Sequence, residues 1–199
     1  MVRVELLLSM SAKYLLPVFA VALVHISGAG ISDAIDQAPP PPSSAFLLSA
    51  GKAGPLELGQ SVDEVYRLVG RERVRLVDLF KEGLFSPALD INLPGSQVSP
   101  ALVADIREWP CGEFSVWGID VRDPRFRTRD GFGVGSMVGE LRQKYQVQLS
   151  HEEGESAVVA ALQMTFGVNG DAGNDLTRAT AVWIWPDPEG VRKRRCPGR

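Results

Sequence analysis

Between residues 54 and 70 the chain reads GPLELGQSVDEVYRLVG, and its apolar positions change period part-way along. Leu56 and Leu58 alternate with Pro55 and Glu57, the two-residue period of a short half-buried strand. Val62, Val65 and Val69 then fall at i, i+3 and i+7, which places them on one face of a helix. Ser61 followed by Glu64 is a capping-box pattern, and Gly70 suits the left-handed position after a last turn, so the spacing predicts a helix over 62–69. Downstream, VRLVDLF, LFSPALDINL, ALVADIREW and FSVWGIDV are apolar-rich runs bounded by Gly, Pro and Asn. They read as strands joined by hairpins.

The pattern then recurs. In DGFGVGSMVGELRQKYQ (130–146), Phe132, Val134, Gly135, Val138, Glu140, Leu141 and Tyr145 match Leu56, Leu58, Gly59, Val62, Glu64, Val65 and Val69 at one offset, 135 − 59 = 76. Trp185-Pro186 matches Trp109-Pro110 at the same offset. Further runs, VQLSH, SAVVAALQMTF and TRATAVWIW, complete the second copy as strands. A shared offset at both ends points to an internal duplication. The expected fold is α+β, with two tandem repeats over 46–115 and 116–190, each a short helical element packed on an antiparallel sheet. Gly59, Gly135, Glu64 and Glu140 are its structural repeat residues.

The stretch LGQSVDEVYRLVG resembles the repeat of the β-lactamase inhibitor protein family and of the small outer-membrane assembly lipoproteins of the SmpA/OmlA type. The resemblance covers about a dozen residues in each copy and the tandem layout. It implies a helical element packed on an antiparallel sheet and, from the inhibitor, a concave sheet that grips another protein. This chain departs from the pattern at Gln60, where methionine is usual, and at Ser136-Met137, which stand in reversed order. Gly139 stands where a capping box with Ser136 would need its acid. IDVRDPRFRTRDGFGVGS also resembles a segment of uncharacterised secreted bacterial proteins, a likeness that carries no activity.

The N-terminal region changes the picture of where the chain works. After Met10, Lys13 precedes an apolar run from Tyr14 to Ile26 and then Ser27, Gly28, Ala29 and Gly30, the order of a secretory signal peptide cleaved after Ala29. The alternative is an uncleaved anchor, although the run is short for a span of ~20 apolar residues. The expected organisation is a signal peptide over 1–29, a proline-rich linker over 30–45 with four consecutive prolines, and a basic tail over 191–199. The expected address is periplasmic or extracellular, with no stable transmembrane span in the mature chain. The two cysteines, Cys111 and Cys196, are then a disulfide candidate; free thiols are the other possibility. A formal charge of −3 gives no reason to expect nucleic acid as a partner.

Candidate chemistry is sparse. The glycines at 131, 133 and 135 lack the spacing of a dinucleotide fingerprint and the Gly-Lys-Ser/Thr of a P-loop, so they read as backbone punctuation at a helix start. Arg122, Arg125, Arg127 and Arg129 beside that start could hold a small anion. Past the signal region His151 is the only histidine, in a polar turn, and Cys111 has no evident partner base. Glu152-Glu153 are adjacent acids in a loop, and Asn169, Asp171, Asn174 and Asp175 lack EF-hand order. No catalytic residue, metal site or cofactor is assigned. Trp183 and Trp185 share a strand face with Ala181, and Trp109 corresponds to Trp185; the candidate binding residues are Trp109, Trp183, Trp185, Arg125 and Arg127. The leading functional expectation is a secreted, non-enzymatic binding or inhibitor-like module that engages a protein or cell-envelope partner through its sheet. The competing expectation is a secreted hydrolase or small-anion-binding protein that uses Arg122–Arg129.

Overall fold

A computed structural model describes residues 43–81, 83–108, 113–151 and 154–186, all within one unit, Pro39–Arg199. A small three-stranded sheet opens it: β1 (Leu48–Ser49), β2 (Lys52–Ala53) and β3 (Leu56–Glu57). Helix α1 (Val62–Val69) follows, then β4 (Val74–Lys81), β5 (Leu84–Ile91), β6 (Leu102–Glu108) and β7 (Phe114–Val121). Helix α2 (Val138–Lys144) leads into β8 (Gln148–Ser150), β9 (Ser156–Val159), β10 (Met164–Val168) and β11 (Ala179–Ile184). Strands β4 to β11 form one eight-stranded sheet in the order β4-β5-β6-β7-β11-β10-β9-β8, antiparallel at every pairing.

This architecture corrects the expected α+β fold of two helix-on-sheet repeats. The helices span only 8 and 7 residues, while strands dominate the described chain. The halves do not build separate sheets: β7 pairs with β11 through Val121↔Val182, Asp120↔Trp183 and Ile119↔Ile184, joining all eight strands. Residues 115 and 116, the expected boundary between the two units, both lie inside β7. Sequence periodicity reports local structure and burial, and it is silent on which strands pair.

The local features of the helix starts are nonetheless present. Gly59 and Gly135 have φ of +83° and +91°, a region that favours glycine. Each glycine pins the chain to the sheet: Gly59 N–H donates to Val116 O (2.7 Å) and Gly135 N–H to Ala179 O (2.7 Å). At α1 the capping box is complete, with Ser61 N–H donating to Glu64 Oε2 (2.9 Å) and Glu64 N–H to Ser61 Oγ (3.2 Å). At α2 the cap falls at Met137, the position that matches Ser61 at the offset of 76, and not at Ser136. Met137 N–H donates to Glu140 Oε2 (3.1 Å), and Ser136 Oγ accepts from Gly133 N–H (3.0 Å). Gly139 is small for a different reason: a Cβ there would meet the Asp175 backbone and side chain at 2.8–3.0 Å.

One face of the large sheet carries the core. Ile91, Leu102, Val121, Val182, Phe166 and Ala157 follow one another across its strands and are buried, as are Leu89, Ala104, Ile119, Ile184, Met164 and Val159 in the next row. Val65 and Val69 of α1, Val138 and Leu141 of α2, and Leu48, Ala53 and Leu56 of the small sheet join the same cluster. Phe126, fully buried in the loop between β7 and α2, meets Phe46 edge-on at 5.3 Å. The opposite face therefore carries the alternate residues of every strand.

The β4–β5 hairpin extends past this frame. All eight residues of β4 pair with β5, whereas β6 pairs only with Ala88–Ile91 of β5. Pairing with β6 stops beside Pro87, which has no N–H to donate. The projecting part exposes Phe80, Leu84 and Phe85.

Candidate functional site

The open face of the sheet gathers aromatic and charged side chains. The row opposite the core reads Arg75, Asp90, Val103, Asp120, Trp183, Thr165, Val158 and Gln148 across the strands. In the adjacent row Val77, Ala88, Asp105 and Gly118 face each other. Between Gly118 and Val116 the register against β6 shifts by one, leaving Trp117 as an extra residue in β7. Val116 and Ile119 remain in the core, so the two residues between them, Trp117 and Gly118, both line the open face.

Around this bulge is a depression of about 770 Å³. Trp117, Trp183 and Trp185 contribute its aromatic walls, Asp105, Arg107, Asp120 and Arg122 its charges, and Leu84 and Ser86 its hairpin side. The indoles of Trp183 and Trp185 are 6.3 Å apart and tilted by 39°. The guanidinium of Arg107 sits 4.8 Å above the centre of the Trp117 ring. Arg122 donates from Nε and Nη2 to Asp120 Oδ2, both at 2.9 Å.

Of the residues singled out by sequence, Trp183 points onto this face beside Thr165, and Trp185, one residue beyond β11, lies next to it. Trp109, Cys111 and Cys196 lie outside the described residues. The arginines between 122 and 129 do not converge. Arg122 turns to Asp120, while Arg125 donates from Nε and Nη2 to Asp123, from Nη1 to Pro94 O (2.8 Å), and lies 4.4 Å over Phe46. Asp123 is buried; burial pushes its carboxyl up, but hydrogen bonds from the Arg125 side chain and backbone, and from Ser96, outweigh that and hold it below the ordinary 3.8. Arg127 packs along Gly133 and Gly135, with Nη1 near Ser136 Oγ (3.4 Å); burial lowers its pKa and Glu140 opposes that.

The glycine stretch leaves few amides for a ligand. Gly133 N–H goes to Ser136 Oγ, Gly135 to Ala179 O, Ser136 to Gly133 O, Met137 to Glu140, Val138 to Thr177 O and Gly139 to Asp175 O. A phosphate cradle needs such N–H groups pointing outward. His151 is exposed and pairs with Glu155 (2.8 Å), which also accepts Ala172 N–H. In the loop before β11, Asp171 accepts Gly173 N–H (2.7 Å), Asn174 accepts Leu176 N–H (3.0 Å) and Asp175 pairs with Arg142. Those oxygens serve turns and helix attachment. Tyr145 closes α2 with its hydroxyl on Asp130; burial and that carboxylate push the phenol up to about 12.

Sequence reading missed Trp117, Asp105, Arg107 and Asp120. A signal existed in FSVWGIDV: the apolar pair Val116 and Ile119 is three apart where a regular strand gives two, and the two residues between them are the bulge.

No family model matches the chain, and no curated protein matches it. Among solved structures it is similar to the crystal structure of the uncharacterized protein yfeY from Escherichia coli, at 14% identity and a TM-score of 0.49, over 70% of this chain and 99% of that one. Among the described residues no helix is long and apolar enough to cross a membrane.

Proposed function

We propose that this protein is an exported, non-enzymatic binding module that engages a protein or cell-envelope partner through the open face of its eight-stranded sheet. The observation that carries the reading is the gathering of Trp117, Trp183 and Trp185 around one open depression on the face opposite the core. Tryptophan dominates binding hot spots because a large rigid area is buried at little conformational cost. A bulge that turns Trp117 onto this face supports the same reading, since bulges re-aim side chains at functional surfaces. The competing anion-binding reading has less support, because Arg125 is engaged by Asp123 and Pro94 and the nearby amides are internally bonded.

The test is capture from a cell-envelope extract by the immobilised full chain. The module reading expects specific retention that falls in Trp183→Ala and Trp117→Ala variants with unchanged far-ultraviolet circular dichroism. Retention unaffected by either change, or lost only in Arg127→Gln, would overturn it.

A further inference from the structure

We propose that the ligand of the open-face groove is a glycan chain, an inference that rests on the binding-module reading and names its partner class. Charge balance comes first. Asp105 and Asp120 are offset by Arg107 and Arg122 within the same depression, so the groove carries no net charge among these groups. Such a lining neither attracts a polyanion nor selects a basic peptide. It does offer acceptors and donors side by side, which matches hydroxyl groups that both donate and accept.

The indoles supply the complementary half. A pyranose ring presents apolar C–H faces and carries its hydroxyls around the rim, so it rests on an aromatic plane while its edges reach polar side chains. Trp183 and Trp185 stand 6.3 Å apart, and Trp117 lines the same depression with Arg107 over one face of its ring. Arg122 is held on Asp120, so this pair is set in place before a ligand arrives.

A protein segment fits this place less well. Extended peptides gain affinity by adding to a sheet edge, where N–H and C=O groups are unpaired. The groove lies instead on the sheet face, where β7 pairs with β6 on either side of the Trp117 bulge and with β11 over Ile119–Val121. Protein interfaces also deplete charge at their centre, whereas four charged residues line this depression.

Titration of the full chain with three tetrasaccharides, β-1,4-linked N-acetylglucosamine, β-1,4-linked glucose and α-1,4-linked glucose, followed by tryptophan fluorescence, tests the proposal. A saturable change is expected with at least one, weakened about tenfold in Trp183→Ala. Arg107→Gln, at an exposed side chain that leaves the core untouched, is expected to weaken it as well. No saturable change with any of the three up to about 10 mM overturns the glycan assignment. Equal affinity in the wild-type chain and both variants overturns the location. Envelope capture that depends on Trp183 yet resists competition by all three sugars and by protein-free cell-wall polymer leaves the module reading standing with a protein partner, and the glycan proposal falls alone.

Discussion

The six-membered ring of Trp183 lies over Gly167 on the neighbouring strand, where a Cβ would come within 3.3 Å of the indole. Gly167 pairs with Ala181, so the ring reaches diagonally across the sheet and uses the bare backbone as its floor. Gly167→Ala is expected to lift the ring and lower stability by about 1 kcal/mol, the scale of mild overpacking. Near-ultraviolet circular dichroism and a urea midpoint would register both effects; unchanged aromatic bands would contradict the contact.

Thr165, the direct cross-strand partner of Trp183, is 1% exposed, and its hydroxyl has no hydrogen-bond partner among the described residues. Thr165→Val removes that hydroxyl at nearly constant shape. A gain of about 1 kcal/mol is expected in chemical denaturation, because an unsatisfied buried hydroxyl is costly. A loss of similar size would show that the hydroxyl is satisfied.

Asp123 predicts an acid-side weakness. Its carboxyl is held below the ordinary 3.8, burial raising it and the Arg125 and Ser96 hydrogen bonds lowering it further. A depressed folded value means the contribution is complete above the unfolded pKa and disappears as pH falls through the folded one. Urea midpoints measured downward from neutral pH should therefore drop below about pH 4. In Asp123→Asn the overall stability should be lower and this segment of the pH dependence flatter; an identical acid profile would rule Asp123 out as its source.

The Ser61 cap gives a local prediction. Ser61→Ala removes the acceptor for Glu64 N–H at the start of α1 and should cost about 1 kcal/mol. The same readout on Ser136→Ala addresses a different role, because Ser136 accepts Gly133 N–H outside α2. Hydrogen exchange would separate the two: the first change should speed exchange at the start of α1, the second in the glycine stretch.

What could be read from sequence was what lies close together along the chain. The Val65 and Val69 face, the Ser61–Glu64 box, the glycines at 59 and 135, and the shared side of Trp183 and Ala181 all follow from spacings of a few residues. The fold class was missed because two short helices carried distinctive patterns while the strands that outweigh them looked ordinary. The groove stayed hidden for a related reason. Asp105, Asp120 and Trp183 come from three strands, and only the β6–β7–β11 register sets them on one surface. Nothing in their spacing announces it.

The β7–β11 seam also constrains the order in which this protein can be made. Most neighbouring strands of the large sheet are close in sequence, and the two four-stranded meanders can zip locally. The seam is different: Val121 must find Val182 near the far end of the described chain. Loop closure over that separation is entropically expensive, so the joining step should come late and set the pace. Until it happens, the strand edges of β7 and β11 are unpaired in two half-formed sheets. A chain that emerges N-terminus first during synthesis passes through that stage every time. Its most vulnerable moment therefore falls before β7 and β11 join, when either edge is open to the wrong partner.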